Sequence, residues 1–91
     1  MSEQGKRHDL TDSDGLPLPG EYGVDPIGIW YGCPPGPLDD YGFPLMANLI
    51  KHQVTEHEDG TITVSPSILI TKPHTNEQWH GYLERGVWRE A

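Results

Sequence analysis

Five histidines and one cysteine are the residues of this chain best suited to chemistry: His8, His52, His57, His74, His80 and Cys33. Imidazole and thiolate groups bind metals or move protons and acyl groups. Spacing decides which use is open. His52 and His57 lie five apart. On a strand that odd offset sends them to opposite faces, so they share no metal without a bulge between them. A structural zinc site needs about four ligands with close pairs such as C-x-x-C. Here Gly36 stands three positions after Cys33. No cofactor is expected. If a metal is held, Cys33 and His80 are its first ligands, helped by His52 or His57.

Ser65, Ser67 or Cys33, with His80 as base, would supply nucleophilic chemistry. The G-x-S-x-G elbow is missing. The "SPS" stretch fits turn chemistry better, with serine hydroxyls serving backbone groups around Pro66. No Lys, Arg or His adjoins Cys33 in sequence, so it reads as a small buried hydrophobe. The carboxylates Asp39, Asp40, Glu56, Glu58 and Asp59 fall in loops or at a hairpin tip and read as a solvated rim. They lack calcium-loop spacing, and no glycine-rich phosphate loop is present. No enzyme is expected from this inventory.

The aromatics carry the remaining signal. On a strand over residues 79–83, Trp79, Gly81 and Leu83 share one face while His80 and Tyr82 share the other. Gly81 leaves a gap that Trp88, across the following turn, is placed to fill. These rings read first as core, since large aromatics supply most of the buried area of a thin domain. The alternative is a partly exposed patch, for which Trp79, His80, Tyr82 and Trp88 are the candidate binding surface, because Trp and Tyr concentrate in interaction hot spots. His80 itself should hydrogen-bond a neighbouring strand or loop.

These side chains need a scaffold. "TITV" alternates with period two after Asp59-Gly60, a strong hairpin signal that predicts a type I′ turn. Pro66 marks an edge or bulge before a strand over 67–71. Residues 72–77 read as a polar loop, and "ERG" (84–86) as a second hairpin with Gly86 in the left-handed position. The C-terminal half thus predicts a four-strand antiparallel meander. Upstream, residues 27–33 read as a strand and 34–42 as a proline-rich loop. Residues 43–58 read as an extended lead-in that becomes a strand by about Lys51. Residues 1–26 show neither helical nor strand period and hold several acids. They are predicted to be a flexible acidic arm, with one small β-rich domain over 27–91. The expected fold is mostly β, a small antiparallel sheet of about four to six strands built from hairpins. No internal repeat stands out.

Totals narrow the function. In 91 residues, 6 basic side chains face 14 acidic ones, a net charge of −8. Such a surface repels a nucleic-acid backbone and suits a basic partner. Gly and Pro number 11 and 9 and hydrophobic residues reach 34%, so the core is thin. One cysteine forms no internal disulfide. The polar start "MSEQGKRHDL" has no signal-peptide pattern, and no apolar run nears the ~20 residues of a membrane helix.

The run from Asp59 to Trp88 resembles a small domain of unknown function found in bacteriophages, especially those of actinobacteria. Its signature is a T-x-S-P-S-[IVL] strand followed by [WC]-H-[GS]-[FYW]-[LV] and a turn ending in Gly. Here these are Thr63, Ser65, Pro66, Ser67 and Ile68, then Trp79, His80, Gly81, Tyr82 and Leu83, with Gly86. The match covers about a third of the chain. "YGCPPG" is similar to a cysteine segment, often C-x-x-C, that opens many relatives; the second cysteine is missing here, against a family metal site. The resemblance implies a phage accessory protein acting in the host cytoplasm. Non-enzymatic binding to a host or phage protein, or to a second copy of itself, is the function expected. The alternatives are a Cys/His metal-binding domain and a protein sequestering a nucleotide or small molecule in a pocket of Trp79, Tyr82 and Trp88.

Overall fold

The computed structural model describes residues 2–11, 17–72 and 77–91. Every regular element among them is a strand, and no helix is long and apolar enough to cross a membrane. The strands are β1 (Ser2–Gln4), β2 (Lys6–Arg7), β3 (Glu21–Val24), β4 (Trp30–Gly32), β5 (Ala47–Asn48), β6 (Gln53–Glu56), β7 (Ile62–Ser65), β8 (Ile68–Thr71), β9 (Gln78–Glu84) and β10 (Val87–Glu90). A first sheet runs β1-β10-β9-β8, all antiparallel. A second runs β2-β3-β4-β5, and its β2–β3 pair is parallel. β6 and β7 form a hairpin by themselves.

The predicted meander is therefore divided. Pro66 has no N–H to continue the ladder, and β7 ends at Ser65. The next strand pairs with β9 instead. The hairpin is fastened to the β9–β10 turn: Gly86 N–H donates to Ile62 O at 3.0 Å and Arg85 N–H to Thr63 Oγ1 at 3.0 Å.

Both predicted hairpins form, with Gly86 left-handed as expected, but the type I′ turn expected at Asp59-Gly60 is not built there. At the β6–β7 tip, Gly60 N–H donates to His57 O and His57 N–H to Thr61 O, with Gly60 at φ 88°. That is a three-residue loop closed by a glycine bulge, and Asp59 keeps an ordinary φ. The type I′ geometry belongs to β9–β10, where Arg85 (φ 47°) and Gly86 (φ 76°) are both left-handed.

The expectation for residues 1–26 is corrected where the chain is described. Those residues supply β1, β2 and β3; residue 1 and residues 12–16 lie outside the described part. Leu10 and Tyr22 are buried, and the parallel ladder continues as His8 N–H donates to Tyr22 O and Leu10 N–H to Val24 O. Strands of two to four residues are too short to print a period, which is why they read as an arm. Arg7 pins this segment down. It bonds Asp9, Glu56 and the Gly60 carbonyl, and its guanidinium lies 5.1 Å from the Trp30 ring centre.

A repeat also emerges. In "DPIGI" the Asp25 carboxylate accepts the N–H of Ile27 and Ile29, while Asp25 N–H donates to Ile29 O and Gly28 N–H to Asp25 O. In "DDYGF" Asp39 makes the same four bonds with Tyr41, Phe43 and Gly42. Each turn holds a large apolar side chain out at its tip, Ile27 at 80% and Tyr41 at 73% exposure.

The core gathers Tyr22 from the second sheet, Leu49 from the connector after β5, Ile62 and Val64 from the hairpin, and Ile68, Trp79, Leu83 and Trp88 from the first sheet. The three sheets close around this cluster, so large rings supply much of the buried apolar area.

Candidate functional site

The predicted parity of β9 holds residue by residue. Trp79, Gly81 and Leu83 are buried, while His80 is exposed and Tyr82 half-exposed. Cross-strand register extends the outer face. Leu69 pairs with His80, Arg89 with Tyr82, and Val87 with Glu84. This face of the first sheet thus carries Leu69, His80, Tyr82, Glu84 and Arg89 side by side.

Its chemistry is fixed locally. His80 Nε2 and Ser67 Oγ are joined by a hydrogen bond of 2.7 Å, which ties β9 to the corner after Pro66. The rings of His80 and Tyr82 lie 6.0 Å apart, and the Arg89 guanidinium sits 4.7 Å from the Tyr82 centre while bonding Glu84. Beside them opens a groove of about 400 Å³ lined by Thr63, Val64, Ser65, Pro66, Ser67, Tyr82, Glu84 and Arg89. Two segments far apart in sequence meet there, "TVSPS" and the outer residues of β9. Leu69, Glu84 and Arg89 were not singled out by sequence reasoning. The period-two parity of β9 and β10 held the signal for the two charged residues.

The four aromatic-strand candidates do not form one surface. Strand alternation sends Trp79 and Trp88 inward, at 7% and 1% exposure, in an edge-to-face pair with ring centres 6.0 Å apart. His80 and Tyr82 point the other way. The pocket expected around Trp79, Tyr82 and Trp88 is therefore not built. Trp79 and Trp88 instead border a shallow cleft of about 430 Å³ with Ser2, Glu3, Pro35 and Glu90, whose two carboxylates would repel a nucleotide phosphate.

Gly81 is not filled by Trp88 either. A Cβ there would meet Trp79's own ring at 2.5 Å and the Arg89 carbonyl at 2.5 Å. Trp88 crosses to the second sheet, where its Nε1–H donates to Gly20 O at 3.0 Å.

The metal candidates are dispersed. Cys33 is fully buried at the end of β4, and burial with the nearby Glu21 carboxylate pushes its thiol up to about 11. A buried neutral thiol is a poor ligand and a poor nucleophile. His52 donates its Nε2–H to Ser67 O at 3.2 Å, and His57 Nε2 is hydrogen-bonded to Thr63 Oγ1 at 2.7 Å. His74 lies outside the described residues. Among the described residues no three His, Cys, Asp or Glu side chains converge. Among the described residues two histidines pair with a hydroxyl, His80 with Ser67 on the outer face and His57 with Thr63 in the hairpin.

Set against protein-family models, curated proteins and solved structures, the chain finds no match.

Proposed function

We propose that this protein works by non-enzymatic binding of another protein, through the outer face of β8, β9 and β10 and the groove beside Pro66. One observation carries the reading: "TVSPS" and the outer residues of β9, both parts of the phage-domain signature, converge on one exposed face. Tyr82 and Arg89 are hot-spot residue types, and here a rigid sheet presents them with Leu69 exposed next to them. A preorganised face loses little side-chain entropy on docking. The Ser67–His80 pair orders the rim of that face; among the described residues the hydrogen bonds of His80 and Ser67 bring no carboxylate to the imidazole as a hydrolase does. The resemblance to phage domains supports a host or phage protein as the partner, met in the host cytoplasm, and the net charge of −8 favours a basic one.

The test is affinity capture from host lysate, with the wild type beside Tyr82→Ala/Arg89→Ala and Tyr41→Ala. A partner retained by the wild type and by Tyr41→Ala, and lost by the double variant at unchanged melting temperature, is the expected result. Capture that ignores the double variant would sink the proposal.

A further inference from the structure

We infer that two copies of this chain associate through the free edge of β8, strand against strand and antiparallel, about a two-fold axis at Ile70. The inference goes beyond the binding reading above and does not depend on it.

β8 leaves a defined set of backbone groups open. Lys72 N–H donates to Glu77 O at 2.8 Å, in register with the Ile70–Trp79 and Ile68–Gly81 pairs. Hydrogen-bonded and non-bonded pairs alternate along an antiparallel ladder. Ile68, Ile70 and Lys72 therefore turn their N–H and C=O groups toward β9. Leu69 and Thr71 turn theirs outward. Ser67 falls in the same outward set, and its carbonyl is indeed taken from that side by His52. Among the described residues, no backbone group pairs with Leu69 or Thr71 across this edge.

The edge is also undefended. Proteins protect outer strands with charge, proline or shortness. β1 reads SEQ, β2 KR, β5 AN and β6 QVTE, so each is short or charged, and β7, ITVS, has its outward Ile62 carbonyl taken by Gly86 N–H. β8 reads ILIT and has no charged side chain. Of the large apolar side chains exposed among the described residues, Leu69, at 54%, is the one that lies within a strand.

Charge and register select a second copy as the occupant. Two chains of net charge −8 repel wherever their acids meet. Residues 65–72 contain no acid, and their one charge is Lys72. With the axis at Ile70, Leu69 of each copy faces Thr71 of the other. Every open N–H and C=O of these two residues then finds a partner. Ile70 meets Ile70, and Lys72 faces Ile68 rather than another lysine. A four-residue edge spans only about 14 Å, so the buried area falls short of a standard stable interface. The association is thus weak and concentration-dependent. It would merge the two first sheets into one and set two binding faces side by side.

Sedimentation equilibrium from low micromolar to millimolar protein tests this. For the wild type, the weight-average mass should climb from 10.2 kDa toward twice that value. Thr71→Pro removes one outward N–H and no backbone bond to β9, at the loss of the exposed side-chain bond from Gln78 Nε2 to Thr71 Oγ1, and should hold the mass at the monomer value throughout. Leu69→Lys keeps the backbone intact, places charge on the edge, and should do the same, which covers the case that the proline variant misfolds. A wild type that stays at 10.2 kDa at millimolar concentration overturns the inference. So does a dimer that both variants retain, because the contact would then lie elsewhere. A monomeric wild type whose lysate capture is lost in Thr71→Pro would assign the edge to a foreign strand, again overturning self-pairing while leaving the binding reading intact.

Discussion

Trp88 lies over Gly32 so closely that a Cβ on that glycine would stand 2.9 Å from the indole Cη2. The ring belongs to the first sheet and the glycine to the second, so this contact seats one sheet on the other. Leu49 Cδ1 lies 3.8 Å from the same point and closes the space further. Gly32→Ala should therefore cost about 1–3 kcal/mol by overpacking. Trp88→Ala, which empties the site and removes the bond to Gly20 O, should cost about 3–5 kcal/mol. Urea unfolding followed by tryptophan fluorescence measures both. A neutral Gly32→Ala would mean that the indole moves aside freely.

The Ser67–His80 bond sits on an exposed face and should contribute modestly to stability. Ser67→Ala and His80→Ala should each lower unfolding free energy by about 0.5–1.5 kcal/mol. The double variant should cost less than the sum of the singles, because one bond is lost once. A thermodynamic cycle by chemical denaturation checks this. Strict additivity would show that the two side chains act separately.

Cys33 makes stability fall in alkali. Its thiol titrates near the usual 9.0 when the chain is unfolded, and is pushed up to about 11 in the fold, by burial first and by Glu21 second. The stabilisation is fully present below pH 9.0 and is lost as pH rises toward about 11. Tyr22, whose phenol is raised mainly by burial, adds a loss of the same sign. Cys33→Ala should flatten the wild-type slope by on the order of 2 kcal/mol across that window. Alkylation by iodoacetamide at pH 8 should proceed only as fast as the fold opens. Rapid labelling of the native protein would contradict the buried position.

The twin aspartate turns make a local prediction. Asp39→Ala leaves the N–H groups of Tyr41 and Phe43 without their carboxylate and should cost about 1–2 kcal/mol, as should Asp25→Ala for Ile27 and Ile29. Asp39→Asn keeps an acceptor oxygen and should retain about half of that. Amide hydrogen exchange reads the effect at the Tyr41 and Phe43 amides. Unchanged protection in Asp39→Ala would show that the backbone bonds suffice.

The legible parts of this fold are those where one face is buried and the strand is long enough to alternate. Ile62 and Val64 in β7, and Trp79, Gly81 and Leu83 in β9, showed their buried face through period two. The N-terminal third was illegible because its strands of two to four residues print no period and its acids suit a solvated arm. Gly23 instead permits the chain at His8 to run against β3, where a Cβ would fall 2.1 Å from the His8 carbonyl oxygen. Parity placed His80 with Tyr82, but nothing in β9 revealed that Ser67 would meet it, since that depends on how the chain leaves Pro66. The two D-x-x-G turns at Asp25 and Asp39 did not stand out as a repeat, because their likeness lies in the hydrogen bonds each carboxylate accepts rather than in the surrounding residue types.

The pairing of β1 with β10 has a consequence for synthesis. Residues 2–4 leave the ribosome well before their backbone partners, residues 87–89. Tyr22 and Gly32 likewise wait for Trp88 to cover them. Non-local contacts of this span form slowly and late. β1 thus has no strand partner until residues 87–90 are free to add, while β2 to β5 can pair among themselves before then, so the first sheet is the one that closes on both ends of the described chain.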